Sequence, residues 1–258
     1  MRAARLTSSS TTPTGPGVAG GAAPVVLVAH GSRDPRAAEA TRALARAVSA
    51  ARPGLSVWAS WLDHTEPGPT EVLRMLAEAG HRSAVVVPLL LTAAYHRRVD
   101  IPAAVAAAGS ALTVRVTDVL GPADGTVAPA LLAGLRRRLD EVAPGRFDAL
   151  VLAAAGTRDA RARGSVGRVA DALGVGFGVP CRVSYASAAP PAAGVAVARL
   201  RAAGARRVAV SAYFLAPGLF HDAVAESARA AGAVAVAAPL TDAPELAELV
   251  LRRVDEPA

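Results

Sequence analysis

From Pro24 to the end of the chain, short β-type runs of apolar residues alternate with longer stretches in which apolar positions recur at helical spacing. The runs predict strands at Val25–His30, Leu55–Leu62, Ala84–Leu91 and Leu112–Val119. Helical periods fall between them, at Pro35–Ala51, Thr70–Ala79, Val99–Ala108 and Val127–Val142. The series then starts again. Strands are predicted at Ala149–Ala154, Cys181–Tyr185, Val208–Leu215 and Ala233–Ala237, with helices at Ala160–Leu173, Ala192–Ala203, Asp222–Ala231 and Pro244–Val254. Asp242, three residues before Glu245, reads as a capping-box start for the last helix. Strand and helix in strict alternation imply right-handed crossovers and parallel strands with helices on both faces.

The restart is visible in the letters too. Val28-Ala29-His30-Gly31-Ser32-Arg33-Asp34 lines up with Ala153-Ala154-Ala155-Gly156-Thr157-Arg158-Asp159, and Leu76–Gly80 lines up with Leu200–Gly204. The predicted fold is therefore α/β: two similar lobes, each a parallel four-stranded sheet flanked by helices, related by internal duplication. A single shared sheet is the less economical alternative. The boundaries fall at 1–23 for a disordered tail, 24–143 for the first lobe and 144–258 for the second, with the joint near Ala143-Pro144-Gly145.

Composition narrows the function classes. The tail is Ser, Thr, Pro and Gly through Gly21, with no apolar core of a signal peptide. Slightly over half of the residues are apolar, mostly Ala and Val, yet no run approaches the ~20 apolar residues of a spanning helix. A lone Cys181 excludes an internal disulfide, and a cytoplasmic protein is expected. The chain has no lysine and a net charge of +7. The runs Arg136–Arg138, Arg206-Arg207 and Arg252-Arg253 sit at predicted element ends rather than on one face, and only nine Phe, Trp and Tyr are available for stacking. They are read as solvated surface rather than a nucleic-acid face. The basic balance would still attract a polyanionic small molecule.

In a parallel α/β lobe the ligand crevice lies beyond the carboxyl ends of the strands. His30 ends the first strand, Asp63 ends the second, and His96 follows the third, so the topology brings three metal-competent side chains to one edge. Singly each has a plain structural reading, as a hydrogen-bonded strand-end histidine, a turn cap and a surface loop residue. Their conjunction points to chemistry. His64, beside Asp63, and His81, at the opposite edge, are expected to be dispensable. Gly31-Ser32 allows close backbone approach and opens a helix whose amides favour an anion, without the spaced glycines of a dinucleotide site or a nucleophile elbow around Ser32.

These residues carry a family resemblance. Val26-Leu27-Val28-Ala29-His30-Gly31-Ser32-Arg33, Trp61-Leu62-Asp63, and Val87–Leu91 through Tyr95-His96 to Asp100-Ile101-Pro102 resemble the sirohydrochlorin chelatases, the class II chelatases of siroheme and cobalamin synthesis. The resemblance implies that His30 and His96 bind the incoming divalent metal, Fe2+ or Co2+. It places Asp63 where the family usually has Glu, as ligand or proton acceptor, and Ala94 where a glycine is common. Gly31, Ser32, Arg33, Ala93, Ala94 and Arg97 are then the candidate substrate contacts, with Arg98 adding charge. The implied substrate is sirohydrochlorin, a tetrapyrrole bearing eight carboxylates. No permanently bound cofactor, nucleic acid or membrane partner is implied, and the two lobes in one chain suggest a monomer. Two imidazoles and a carboxylate hold Fe2+ or Co2+ loosely enough for release, where a closed thiolate site would trap it.

Two other readings stay open: a non-catalytic metal or tetrapyrrole carrier, and a histidine phosphatase, which would want an arginine where Ala29 stands. In the second lobe Ala155 replaces His30, and Ala188 or Ala189 falls near the counterpart of Asp63. His221 sits in a register between His96 and Arg97. The second lobe is thus expected to close over the tetrapyrrole without a metal of its own, leaving His221 dispensable.

Overall fold

The computed structural model describes residues 22–92, 99–122, 125–143 and 146–257. The first lobe holds β1 (Val25–Ala29), α1 (Pro35–Ala51), β2 (Val57–Trp61), α2 (Pro69–Glu78), β3 (Ser83–Pro88), α3 (Asp100–Ala107), β4 (Thr113–Val116) and α4 (Pro129–Val142). The second holds β5 (Ala149–Ala154), α5 (Ala160–Phe177), β6 (Cys181–Tyr185), α6 (Ala193–Ala202), β7 (Val208–Tyr213), α7 (Leu219–Ala230), β8 (Ala235–Val236) and α8 (Pro244–Asp255). Two separate parallel sheets form, in the orders β2-β1-β3-β4 and β6-β5-β7-β8. The duplication is thus a duplication of structure.

Because side chains alternate across a strand, each sheet sorts its residues onto two faces, and both are buried. Val26, Val28, Ala84 and Val86 face α2 and α3 through Val72, Leu73, Leu76 and Ile101. Val151, Ala153, Val208 and Val210 face α6 and α7 in the same way. The opposite faces share one core, in which Val25, Leu27, Val85 and Val87 of the first sheet and Leu150, Leu152, Ala154 and Ala209 of the second enclose a layer of four helices.

Two of those helices are exchanged. α4 follows the first sheet in sequence but packs on β7 and β8 of the second, whereas α8 follows the second sheet and packs on β3 and α1 of the first. The expected lobe joint near residue 143 therefore does not separate two self-contained packing units. Ion pairs line the exchange. Arg137 meets Glu245 at 2.6 Å, Arg138 meets Asp242 at 2.8 Å, and Arg52 meets Asp255 at 2.6 Å. Arg115 donates to the carbonyls of Val254 and Glu256, and the Arg253 guanidinium to that of Val119. Arg137, Arg138 and Arg253 of the arginine runs are absorbed in such contacts, and Arg136 stacks 4.7 Å over the Phe177 ring.

Three expectations shift. The capping box does not form, because Ala243 is the N-cap of α8 without a side-chain bond, while Asp242 and Glu245 serve Arg138 and Arg137. Helix α5 continues four residues past Leu173, to Phe177, whose ring packs 5.1 Å from that of Phe147, and stops at Gly178 with φ +67°. Helix α7 begins at Leu219 rather than Asp222, which puts His221 on a helical first turn.

Leu139 of α4 is fully buried in the shared core. Leu139→Ala should cost about 2–5 kcal/mol, and calorimetry should show one transition moving as a whole, since α4 ties both sheets together. Two resolved transitions, only one of them shifted, would contradict the exchange as a source of cooperativity.

Candidate active site

The carboxyl edges of the two sheets open onto one cleft of about 530 Å3. The first lobe lines it with residues 30–34 and 89–92, and the second with residues 154–157 and 213–221. The corresponding loops of the two repeats thus face each other across the opening.

His30 leaves β1 at the strand's end and is exposed. Gly31 follows at φ +96°, where a Cβ would fall 1.8 Å from the Asp63 carbonyl oxygen, and Gly156 repeats this at φ +101° with 1.9 Å to the Ser187 oxygen. Only glycine passes there. Ser32 Oγ then accepts from the Asp34 amide at 3.1 Å, and Thr157 Oγ1 from the Asp159 amide at 3.1 Å. Ser32 therefore shapes the turn, and Asp34 caps α1 by accepting from the Arg36 amide. The paired turns fix the repeat register. Asp63 N–H donates to the His30 carbonyl as Ser187 N–H does to Ala155, so Ser187, rather than Ala188 or Ala189, is the counterpart of Asp63.

His30, Gly31, Ser32 and Arg33 come together at the cleft. Asp63 is not among the residues lining it. Its carboxylate accepts from the His64 amide at 2.8 Å and lies 3.3 Å from His64 Nε2, and it is His64 that lines the cleft. His96, Ala93, Ala94, Arg97 and Arg98 lie outside the described residues. Among the described residues, no group of three or more His, Cys, Asp and Glu is arranged to hold a metal ion. Cys181 is no candidate: burial pushes its thiol up to about 12, so the thiolate a nucleophile needs is suppressed.

Sequence reasoning missed most of what the second lobe brings. Tyr213 is fully buried, and its hydroxyl donates to the Leu91 carbonyl at 3.0 Å, tying the loop after β3 to the opposite lobe. Burial raises the phenol of Tyr213, and more mildly that of Tyr185, so both remain neutral donors. His221 lines the cleft as well, with its ring on the Ala237 carbonyl. The repeat register had singled it out as a dispensable remnant; the three-residue earlier start of α7 is what puts it on the first turn beside the cleft. At the mouth, Arg36 spans the lobes, reaching Asp34 Oδ2 at 2.5 Å and Asp222 Oδ2 at 2.6 Å.

A duplicated parallel α/β lobe, with both carboxyl edges turned onto one histidine-bearing cleft, defines a two-lobe α/β architecture with a single site shared between its repeats. The chain belongs to the CbiX family, whose sequence model matches residues 24–141 and again 149–257. No curated protein matches it significantly in sequence. The structure is similar to SirB from Bacillus subtilis with Fe3+, with a TM-score of 0.77 at 19% identity over 89% of this chain and 93% of that one. It is also similar to the sirohydrochlorin chelatase SirB from Bacillus subtilis subspecies spizizenii in complex with cobalt, with a TM-score of 0.73 at 18% identity, over 89% and 92% of the two chains. A third likeness is to CbiX, described as the terminal enzyme for biosynthesis of siroheme in denitrifying bacteria, with a TM-score of 0.63 at 20% identity over 90% and 97%. At these identities the shared feature is the fold.

The Arg36 guanidinium holds the carboxyls of Asp34 and Asp222 below their ordinary value of 3.8. A depressed carboxyl stabilises the folded state above its unfolded value and loses that contribution as pH falls through the folded one. The bridge across the mouth should therefore be intact at every pH above about 4 and fail only in stronger acid. Carbon-detected NMR titration should show both carboxyls moving to higher pH in Arg36→Ala; unchanged titrations would mean that the bridge is not formed in solution.

Proposed function

We infer that this chain inserts a divalent metal ion, Fe2+ or Co2+, into sirohydrochlorin, a step of siroheme or cobalamin synthesis, and that it does so as a cytoplasmic monomer. The observation that carries the reading is an exposed imidazole at the end of β1, His30, at the edge of a cleft built by both copies of a CbiX repeat. The similar fold of a sirohydrochlorin chelatase with cobalt bound, and of SirB with Fe3+, supports it.

The metal is a substrate here, and the site must hold it weakly and release it. His30 and His96 are its proposed ligands, two neutral imidazoles that bind Fe2+ or Co2+ without the grip of thiolates. Leu89, Leu90, Ala154, Val166 and Phe214 make the walls apolar, which suits a flat macrocycle and strengthens every charge interaction inside. Arg33, exposed beside His30, offers a guanidinium to a substrate carboxylate, with Arg97 and Arg98 as further partners, and the Gly31-Ser32 turn lets backbone approach closely. Ala93 and Ala94 are further proposed substrate contacts. Asp63 stands next to this edge, engaged with His64, and so contributes to proton removal or metal approach less directly than the histidines.

A metal or tetrapyrrole carrier would need the same ligands but would not accelerate insertion. The absorbance change of sirohydrochlorin with Co2+, followed with and without protein, separates the two. His30→Ala and His96→Ala should each reduce the rate to the uncatalysed background with unchanged thermal unfolding, and Asp63→Ala should be slower but active. Near-normal turnover and metal affinity in either histidine variant would refute the assignment.

Charge supplies a second check. The KM for sirohydrochlorin should rise with salt, because exposed charges are screened beyond about 8 Å at physiological ionic strength. Replacing Arg97 and Arg98 together should flatten that rise. A KM independent of salt would assign these arginines to the solvated surface alone.

A further inference from the structure

The imidazole of His221 stands on the first turn of α7 and lines the same cleft as His30, from the opposite lobe. Its side chain is 16% exposed, and Phe214 meets it edge-on with ring centroids 6.0 Å apart. Nε2 lies 3.1 Å from the Ala237 carbonyl oxygen. A carbonyl only accepts, so this nitrogen carries the hydrogen, and in the neutral ring the lone pair is left on Nδ1. Nδ1 is 3.8 Å from Asp222 Oδ1. That is beyond hydrogen-bond reach, so Asp222 does not engage Nδ1. Asp222 is in turn held by Arg36 of the first lobe, which also holds Asp34. Among the described residues, the other titratable or charged groups lining the cleft are His30, Arg33 and His64 of the first lobe and Tyr185 and Tyr213 on its own sheet.

Metal insertion replaces two pyrrole N–H bonds with N–metal bonds, so two protons must leave. Imidazoles that hold the incoming ion cannot take them while their lone pairs are on the metal. We propose that His221 accepts one of these protons through Nδ1, as a catalytic base supplied by the second lobe. The pyrrole N–H bond breaks and its electron pair stays on nitrogen to bind the metal. The proton bonds to Nδ1 and then passes to water at the cleft mouth, which returns the ring to its neutral form. This rests on the chelatase reading and deepens it. The lobe that lost its counterpart of His30 to Ala155 keeps one imidazole for a different task, against the expectation that His221 is dispensable.

Two variants separate chemistry from architecture. His221→Gln retains a side-chain N–H that can reach the Ala237 oxygen but has no basic nitrogen, whereas His221→Ala has neither. Both should lower kcat for Co2+ insertion by about 100-fold or more, the scale of a general base, and leave the KM for sirohydrochlorin and the Co2+ affinity of the free chain unchanged. The acid limb of the kcat–pH profile should disappear, and free imidazole should restore rate to His221→Ala. Wild-type kcat in His221→Gln would reduce the residue to its bond with Ala237 and overturn the proposal. So would loss of Co2+ affinity parallel to that of His30→Ala, which would make His221 a metal ligand. Failure of the chelatase reading shows separately, as an unsubstituted protein that does not exceed the uncatalysed rate.

Discussion

The apolar layer between the two sheets is what the rest of the molecule depends on. Each sheet has two hydrophobic faces, and the helices next to it in sequence cannot cover both. The last helix of each repeat therefore crosses to the other lobe, where α4 seals β7 and β8 and α8 seals β3. One core results, continuous through Leu27, Leu135, Leu152 and Leu246. A fold made this way cannot let its lobes drift independently, because separation would expose the inner face of both sheets at once. That rigidity places two sets of strand ends opposite each other.

The cleft is a consequence of this placement, and its chemistry comes from where the repeat has diverged. The backbone has been held: Gly31 and Gly156 make the same left-handed turn against the same carbonyl, and Ser32 and Thr157 make the same hydroxyl bond. The side chains at these strand ends and turns have not. His30 stands against Ala155, Leu89 against Tyr213, and the Asp63–His64 pair against Ser187-Ala188. A symmetric frame thus carries an asymmetric site, with the imidazoles of His30 and His64 on one wall and two phenols and the imidazole of His221 on the other. Arg36 ties the two walls at the mouth through carboxylates of both lobes.

Much of this was legible in the letters. Periodicity located every strand and helix among the described residues, since parallel strands buried on both faces are near-continuous apolar runs. The repeated Gly-Ser/Thr-Arg-Asp gave the duplication and the turn that presents His30. The exchange of α4 and α8 was not legible, because an amphipathic helix shows that it has a partner without saying which sheet supplies it. The false capping box at Asp242 and Glu245 has the same origin, as both acidic residues are recruited by arginines of α4, a partner distant in sequence. Asp63 looked like a cleft carboxylate because it ends a strand, but its engagement with His64 depends on a left-handed residue at position 64 that a polar loop does not advertise. His221 was obscured by a shift of helix start of three residues, enough to move a side chain to another side of a helix.

The central claim is that the inter-lobe cleft receives the metal at the end of β1. Anomalous difference density from crystals soaked in Co2+ addresses it most directly. The account predicts one strong peak inside the cleft, about 2.1 Å from a ring nitrogen of His30, the usual imidazole–metal distance, and none at the corresponding position beside Ala155. A dominant peak elsewhere on the chain, with His30 unliganded, would contradict it.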